Sequence, residues 1–126
     1  MTAKEVAAVR LDEKKSKFYA HLYLIDSMDD VLEVRAIHDK LYKKAAHHCY
    51  AVVCGNVSDS RADGEVGSPG RALLEVMEHH NLGSHMLMVS RIFGGIKLGP
   101  AGVARAFREA GIGAVVEYEA HKPKNL

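Results

Sequence analysis

Between residues 91 and 102 the chain reads Arg91-Ile92-Phe93-Gly94-Gly95-Ile96-Lys97-Leu98-Gly99-Pro100-Ala101-Gly102, four glycines and two cations between an apolar run and a helical pattern. No other stretch constrains the fold as tightly, because a strand must end near Ile92 and a helix must open at Pro100, a favoured first-turn residue. Glycine lets backbone approach a ligand closely and take positive φ, and a helix start offers unpaired N–H groups at its positive dipole end. With Arg91 and Lys97 alongside, the junction reads as an anion-binding corner. The local window from 91 to 108 adds Arg105 and Arg108 and contains no acid.

The elements leading to this corner follow from periodicity. Ser16 to Ile25 alternates Phe18, Ala20, Leu22 and Leu24 with Lys17, Tyr19, His21 and Tyr23, the pattern of a half-buried strand that Glu5 to Leu11 would pair with. Ser27 reads as an N-cap with Asp30 three residues on, opening a helix with a stripe of Val31, Val34, Ile37, Leu41 and Ala45. Cys49 to Cys54 is apolar at both parities and so predicts a central strand covered on both faces. Gly55 to Gly67 is a polar loop, and Ser68-Pro69 opens a second helix turning Leu73, Val76, Met77 and His80 inward. Met86 to Arg91 is a further strand. The last helix carries Val103, Phe107 and Ala110; Gly111 to Tyr118 either prolongs it, the preferred reading, or forms an edge strand, since Val115, Val116 and Tyr118 favour strand, and His121 to Leu126 is expected to fray.

Composition sets outer limits. A chain of 126 residues fits one domain, expected over 1–126, and 48% hydrophobic with 26% charged residues suits a packed core. No apolar run approaches the length of a membrane span, and Cys49 and Cys54, five apart in one strand, point to opposite faces and cannot bridge. The expectation is a cytoplasmic protein without membrane contact. A net charge of +1 leaves any attraction for nucleic acid to a local patch.

Several familiar chemistries fail on spacing. Gly94 and Gly99 have P-loop separation, but Pro100-Ala101 stand where Lys and Ser/Thr are needed, and Leu98 to Gly102 matches a GxxG backbone clamp over four residues only. Asp59, Asp63 and Glu65 would place Arg61 and Gly70 at calcium-ligand positions, so no metal site is expected. Cys49, Cys54, His80 and His85 are spaced at about twice a zinc finger's interval. His47 shares a strand face with Cys49, which leaves open a thiol activated by imidazole. Tyr19, His21 and Tyr23 form an aromatic stripe on which single-stranded bases could stack.

Taken together, these residues resemble the Impact/YigZ family from about Lys14 to Glu117. Lys15-Ser16-Lys17-Phe18 resembles its KSRF opening, His47, Cys49 and Ala51 its HxCxA strand, and Asp63-Gly64-Glu65 with Gly70-Arg71 its DGE and GR loop. Val89 to Gly99 resembles its V-x-R-x-[FY]-G-G-x-x-L-G signature, continued by Gly102, Arg105 and Phe107. Ala62 and Ile92 depart from the pattern, at a loop Asp and an aromatic. The resemblance implies an α+β fold like the second domain of ribosomal protein S-five, a mixed sheet with helices packed on one face. It also implies a role in translation: eukaryotic relatives restrain the amino-acid-starvation kinase of initiation factor two, using an extra RWD domain. Bacterial ones carry a C-terminal ferredoxin-like domain; neither extra domain is expected in this chain.

The functional expectation is therefore a non-enzymatic module, without cofactor, that binds RNA or ribosome, with a translation-regulatory protein as a further partner. Arg91, Lys97 and Arg105 would meet phosphates, with Gly94, Gly95, Gly99 and Gly102 allowing close approach. Asp63, Gly64, Glu65 and His47 would border the site, and Tyr19, His21 and Tyr23 would stack. The alternative is an enzyme or small-anion binder using His47, Cys49, Asp63 and Glu65.

Overall fold

The computed structural model describes residues 3–122. Strands β1 (Lys4–Glu13) and β2 (Ser16–Leu24) form a hairpin whose two turn residues, Lys14 and Lys15, have φ of 45° and 68°. Helix α1 (Asp30–Leu41) follows, then β3 (His47–Cys54) and β4 (Val57–Arg61), α2 (Pro69–His79), β5 (His85–Ile92) and α3 (Gly99–His121). The sheet order is β1-β2-β5-β3-β4, so β5 enters between two strands laid down much earlier.

Strand alternation divides the sheet into two unequal sides. One face presents Phe18, Ala20, Leu22, Cys49, Ala51, Leu87 and Val89 to Leu73 and Met77 of α2 and to Val103, Phe107, Ala110 and Ala114 of α3. Phe18 and Phe107 meet edge to face, with ring centroids 5.1 Å apart. Gly111 lets α3 approach closely here, because a Cβ would come within 2.8 Å of a Leu73 methyl and 3.1 Å of a Leu87 methyl and would force those side chains to shift. The other face presents Tyr23, Tyr50, Val52, Met86 and Met88 to Val34 of α1.

The α+β class holds, and α2 and α3 share one face as expected. Two details differ: every strand pairing is antiparallel rather than mixed, and α1 lies on the opposite face. Both cores need β3 apolar at each parity, which its sequence provides. Its neighbour β4 occupies part of what reads as a loop; an edge strand with little buried surface, Val-Ser-Asp-Ser-Arg, carries no apolar alternation.

Helix starts also depart from expectation. Ser27 is not the N-cap: Asp29 holds that position without a side-chain cap, while Ser27 Oγ accepts from Asp29 N–H at 3.2 Å and Asp30 Oδ2 accepts from Ser27 N–H at 3.3 Å, so only the Asp30 half of a capping box forms and the helix starts at Asp30. Its buried face is Asp30, Val34 and His38, while Leu41 is exposed. Ser68 precedes α2 in a left-handed conformation and its side chain caps nothing. Residues 111–118 are helical; of the frayed end, His121 closes α3 and residues 123–126 lie outside the described residues.

Candidate functional site

Arg91 leaves β5 on the α2/α3 face, where a charge must be paired to be tolerated. Its Nη1 donates to Glu65 Oε2 at 3.1 Å, and both side chains are more than nine-tenths buried. Nη2 donates to Ser16 Oγ at 3.3 Å, and the guanidinium carbon lies 5.5 Å from the ring centroids of both Phe18 and Phe93. Arg91 is therefore a buried cation whose two Nη groups are held within the chain, rather than an exposed charge like Lys97. Sequence reasoning missed this because its partner is 26 residues away.

The same corner explains the glycines. Gly94 N–H donates to Ser16 Oγ at 3.2 Å, and a Cβ at Gly94 would sit 2.0 Å from the Lys15 carbonyl oxygen. The β1–β2 turn is thus pressed against the β5–α3 loop, carrying the exposed Lys14 and Lys15 to its side. A Cβ at Gly95 or Gly99 would meet nothing within 4 Å, so backbone there is open to approach. Gly102 lies in the first turn of α3 beside Lys14 and Arg105.

Asp63, Gly64 and Glu65 organise the neighbouring loop. Asp63 Oδ2 accepts from His48 N–H at 2.8 Å and its carbonyl accepts from His47 Nδ1–H at 2.8 Å. Gly64, at φ 78°, lets the loop turn beside the His47 ring. Arg35 of α1 reaches Asp63 Oδ1 at 3.5 Å. His47 Nε2 is 3.8 Å from Glu65 Oε2. His47, Asp63, Glu65 and Arg91 do converge, but most of their polar atoms are spent on one another.

A cleft of about 490 Å³ opens at this corner, lined by His47, Val66, Phe93, Lys97, Leu98, Pro100 and neighbours. Phe93 and Val66 are about half exposed, and Ile96 stands free on the same loop. Leu98 also borders a smaller hollow shared by Lys14, Gly102 and Arg105 together with Glu13 and Glu109. Lys97, Arg105, Lys14 and Lys15 are exposed and make no ion pair among the described residues. The lysine-rich opening of β2 was visible in the sequence, but its proximity to the glycine loop was not.

Two expectations fail outright. Cys49 is fully buried, its S–H donates to the Ala62 carbonyl at 3.1 Å, and burial first, then Glu65 and Asp63, push its thiol far above the usual range. It is not an activated nucleophile. The Tyr19, His21, Tyr23 stripe is not an open stacking surface, because α1 covers it: Tyr23 donates to His38, His21 bonds Tyr42, and Tyr19 stacks on Tyr42 at 4.4 Å. By alternation the stripe also lies on the sheet face opposite the cleft.

What α1 covers is a hydrogen-bonded polar core. His38 Nδ1 and His48 Nδ1 each lie 2.7 Å from Ser90 Oγ, and His48 Nε2 is 3.3 Å from Asp39 Oδ1. Burial, then His21 and His48, lower the His38 pKa to about 3, and burial lowers that of His48. His21 bridges Glu5 and Tyr42 nearby.

The fold and site together define a small α+β domain whose lysine turn, acidic loop and glycine loop are locked by one buried Arg–Glu pair. The sequence profile of the Impact N-terminal domain matches residues 14–115, and the chain belongs to that family. It is 34% identical over 110 residues to IMPACT family member YvyE of Bacillus subtilis, covering 84% of this chain and 51% of that one. The chain spans about half the length of its bacterial relatives. A crystal structure of a hypothetical protein superposes with a TM-score of 0.83 at 25% identity, over 92% of this chain and 61% of that one. The two-domain translational regulator Yih1 shares the fold, with a TM-score of 0.53 at 18% identity over 90% of this chain and 46% of that one.

Proposed function

We propose that this domain is a non-enzymatic module that binds RNA or the ribosome in the cytoplasm and acts in the regulation of translation. The observation that carries the reading is three cations near the start of α3, exposed and without ion pairs among the described residues: Lys97 on the open Phe93 cleft, and Lys14 and Arg105 in the adjoining hollow that shares Leu98 with it and also holds Glu13 and Glu109. Phosphate backbone is attracted by such a corner, and the α3 N-terminus adds its positive end. The description of Yih1 as a translational regulator points the same way.

A nucleophilic role has little support, because Cys49 is sealed, Glu65 is held by Arg91 and Asp63 organises the loop; of the four residues of that alternative, His47 alone keeps an unbonded ring nitrogen beside the cleft. A translation-regulatory protein partner is compatible with the module and would add to the RNA contact.

Recovery of bound material from cells tests the reading. The tagged domain should retain RNA-dependent material that nuclease releases, and a Lys97→Gln, Arg105→Gln double variant should lose it. Nuclease-insensitive retention that ignores the double variant would contradict it.

A further inference from the structure

The cleft offers more than positive charge. Its walls are Val66, Phe93, Leu98, Pro100 and Val103, and its volume of about 490 Å³ falls within the usual range for sites that take small organic groups. The proton on His47 is placed by its neighbour. The Asp63 carbonyl only accepts, so the neutral ring carries its hydrogen on Nδ1 and leaves a lone pair on Nε2. Glu65 is 3.8 Å from Nε2, beyond hydrogen-bond reach, and among the described residues no other group is bonded there.

A second signal comes from Arg91, which lines the same cleft. Its Nε is buried without a partner, in a side chain 8% exposed, and a native donor left this way calls for an acceptor not supplied by the chain. The walls therefore suit a flat ring, His47 Nε2 suits an N–H donor on that ring, and Lys97 with Lys14 and Arg105 suits phosphates along the strand that bears it.

We infer that the cleft takes one unstacked, amino-bearing nucleobase of single-stranded RNA, its ring against Phe93 and its exocyclic amine donating to His47 Nε2. This rests on the RNA reading above and names the group that the site recognises. A tyrosine from a protein partner would meet the same walls, but it would bring no negative charge to Lys97 on the cleft wall, where, among the described residues, no acidic residue lines the cleft.

The probe is labelled octa-adenylate, compared with the same oligomer made abasic at its central positions and with one carrying purine riboside, which lacks the amine. The abasic oligomer should bind about tenfold more weakly, the effect of losing one base–aromatic stack, and the purine riboside oligomer several-fold more weakly. Phe93→Ala, at an exposed position, should erase the difference between intact and abasic oligomers while leaving the salt dependence unchanged. Equal affinity for intact and abasic oligomers, with salt dependence retained, overturns the base slot and leaves the RNA reading standing. No binding of any oligomer at low salt overturns both. Adenosine monophosphate competing as tightly as the oligomer overturns the assignment to RNA in favour of a free nucleotide. Retention of a nuclease-insensitive protein through Phe93, with oligomers indifferent to Phe93→Ala, overturns it in favour of a protein anchor.

Discussion

His38 of α1 and His48 of β3 share one hydroxyl, that of Ser90, with each Nδ1 2.7 Å from its oxygen. The direction of the chain follows from its outer end. Asp39 as a carboxylate only accepts, so His48 donates from Nε2 and its Nδ1 accepts from the Ser90 O–H. Ser90 Oγ then accepts from His38 Nδ1–H, and His38 Nε2 accepts from Tyr23 O–H at 3.0 Å. Every group is satisfied with both rings neutral. Ser90→Ala leaves one donor and one acceptor unpaired and should cost about 2 kcal/mol or more. Urea unfolding should show a lower midpoint at unchanged slope.

Acid should destabilise the fold through the same groups. The His38 pKa is about 3 when folded against 6.5 when unfolded, so between those values the unfolded chain binds more protons. Stability is full above pH 6.5 and falls as the pH drops towards 3, by up to about 1.4 kcal/mol per pH unit for one proton. His48 and His85, also lowered by burial, steepen the fall. Unfolding free energies measured across this window should show the slope, and His38→Gln should flatten it while lowering stability at neutral pH.

The Arg91–Glu65 pair predicts asymmetric costs. Glu65→Ala strands a buried guanidinium and Arg91→Ala a buried carboxylate, each at about 3–5 kcal/mol. Replacing both with Arg91→Met and Glu65→Leu should recover most of that loss, because no lone charge remains. Thermal unfolding of the singles and the double separates a structural pair from a ligand-contacting one.

Two adjacent glycines should respond differently. Gly94→Ala drives a Cβ to 2.0 Å from the Lys15 carbonyl and should separate the lysine turn from the glycine loop, with severe loss of stability. Gly95→Ala meets no atom within 4 Å but must hold φ 91°, a conformational strain of about 1 kcal/mol. Denaturation midpoints of the two variants give the comparison.

How far the sequence revealed this molecule depended on whether the signal was local. Phe18, Ala20 and Leu22 declared the inner face of β2 by alternation, and β3 declared itself two-sided. Pro100 marked the last helix. His21 and Tyr23 belong to residue types common on open surfaces, and nothing within β2 announces that α1 will cover them. Leu24 shows the converse: it follows the inner parity but sits at the strand end, 40% exposed. β4 was hidden because an edge strand need not alternate. At the site, the glycine loop and acidic loop were legible as motifs, whereas the roles of their charges were not. Arg91 and Lys97 look alike in sequence, and only the position of Glu65 makes one a buried strut and leaves the other free.

The central claim is that the exposed cations beside the α3 start neutralise RNA phosphates, and a salt titration of labelled single-stranded RNA tests it most directly. With Lys14, Lys97 and Arg105 each meeting one phosphate, the logarithm of affinity should fall against that of salt with a slope of about −2. Lys97→Gln and Arg105→Gln should each make that slope shallower by about 0.7. No binding at about 50 mM salt, or an affinity and slope that neither substitution changes, would contradict the account.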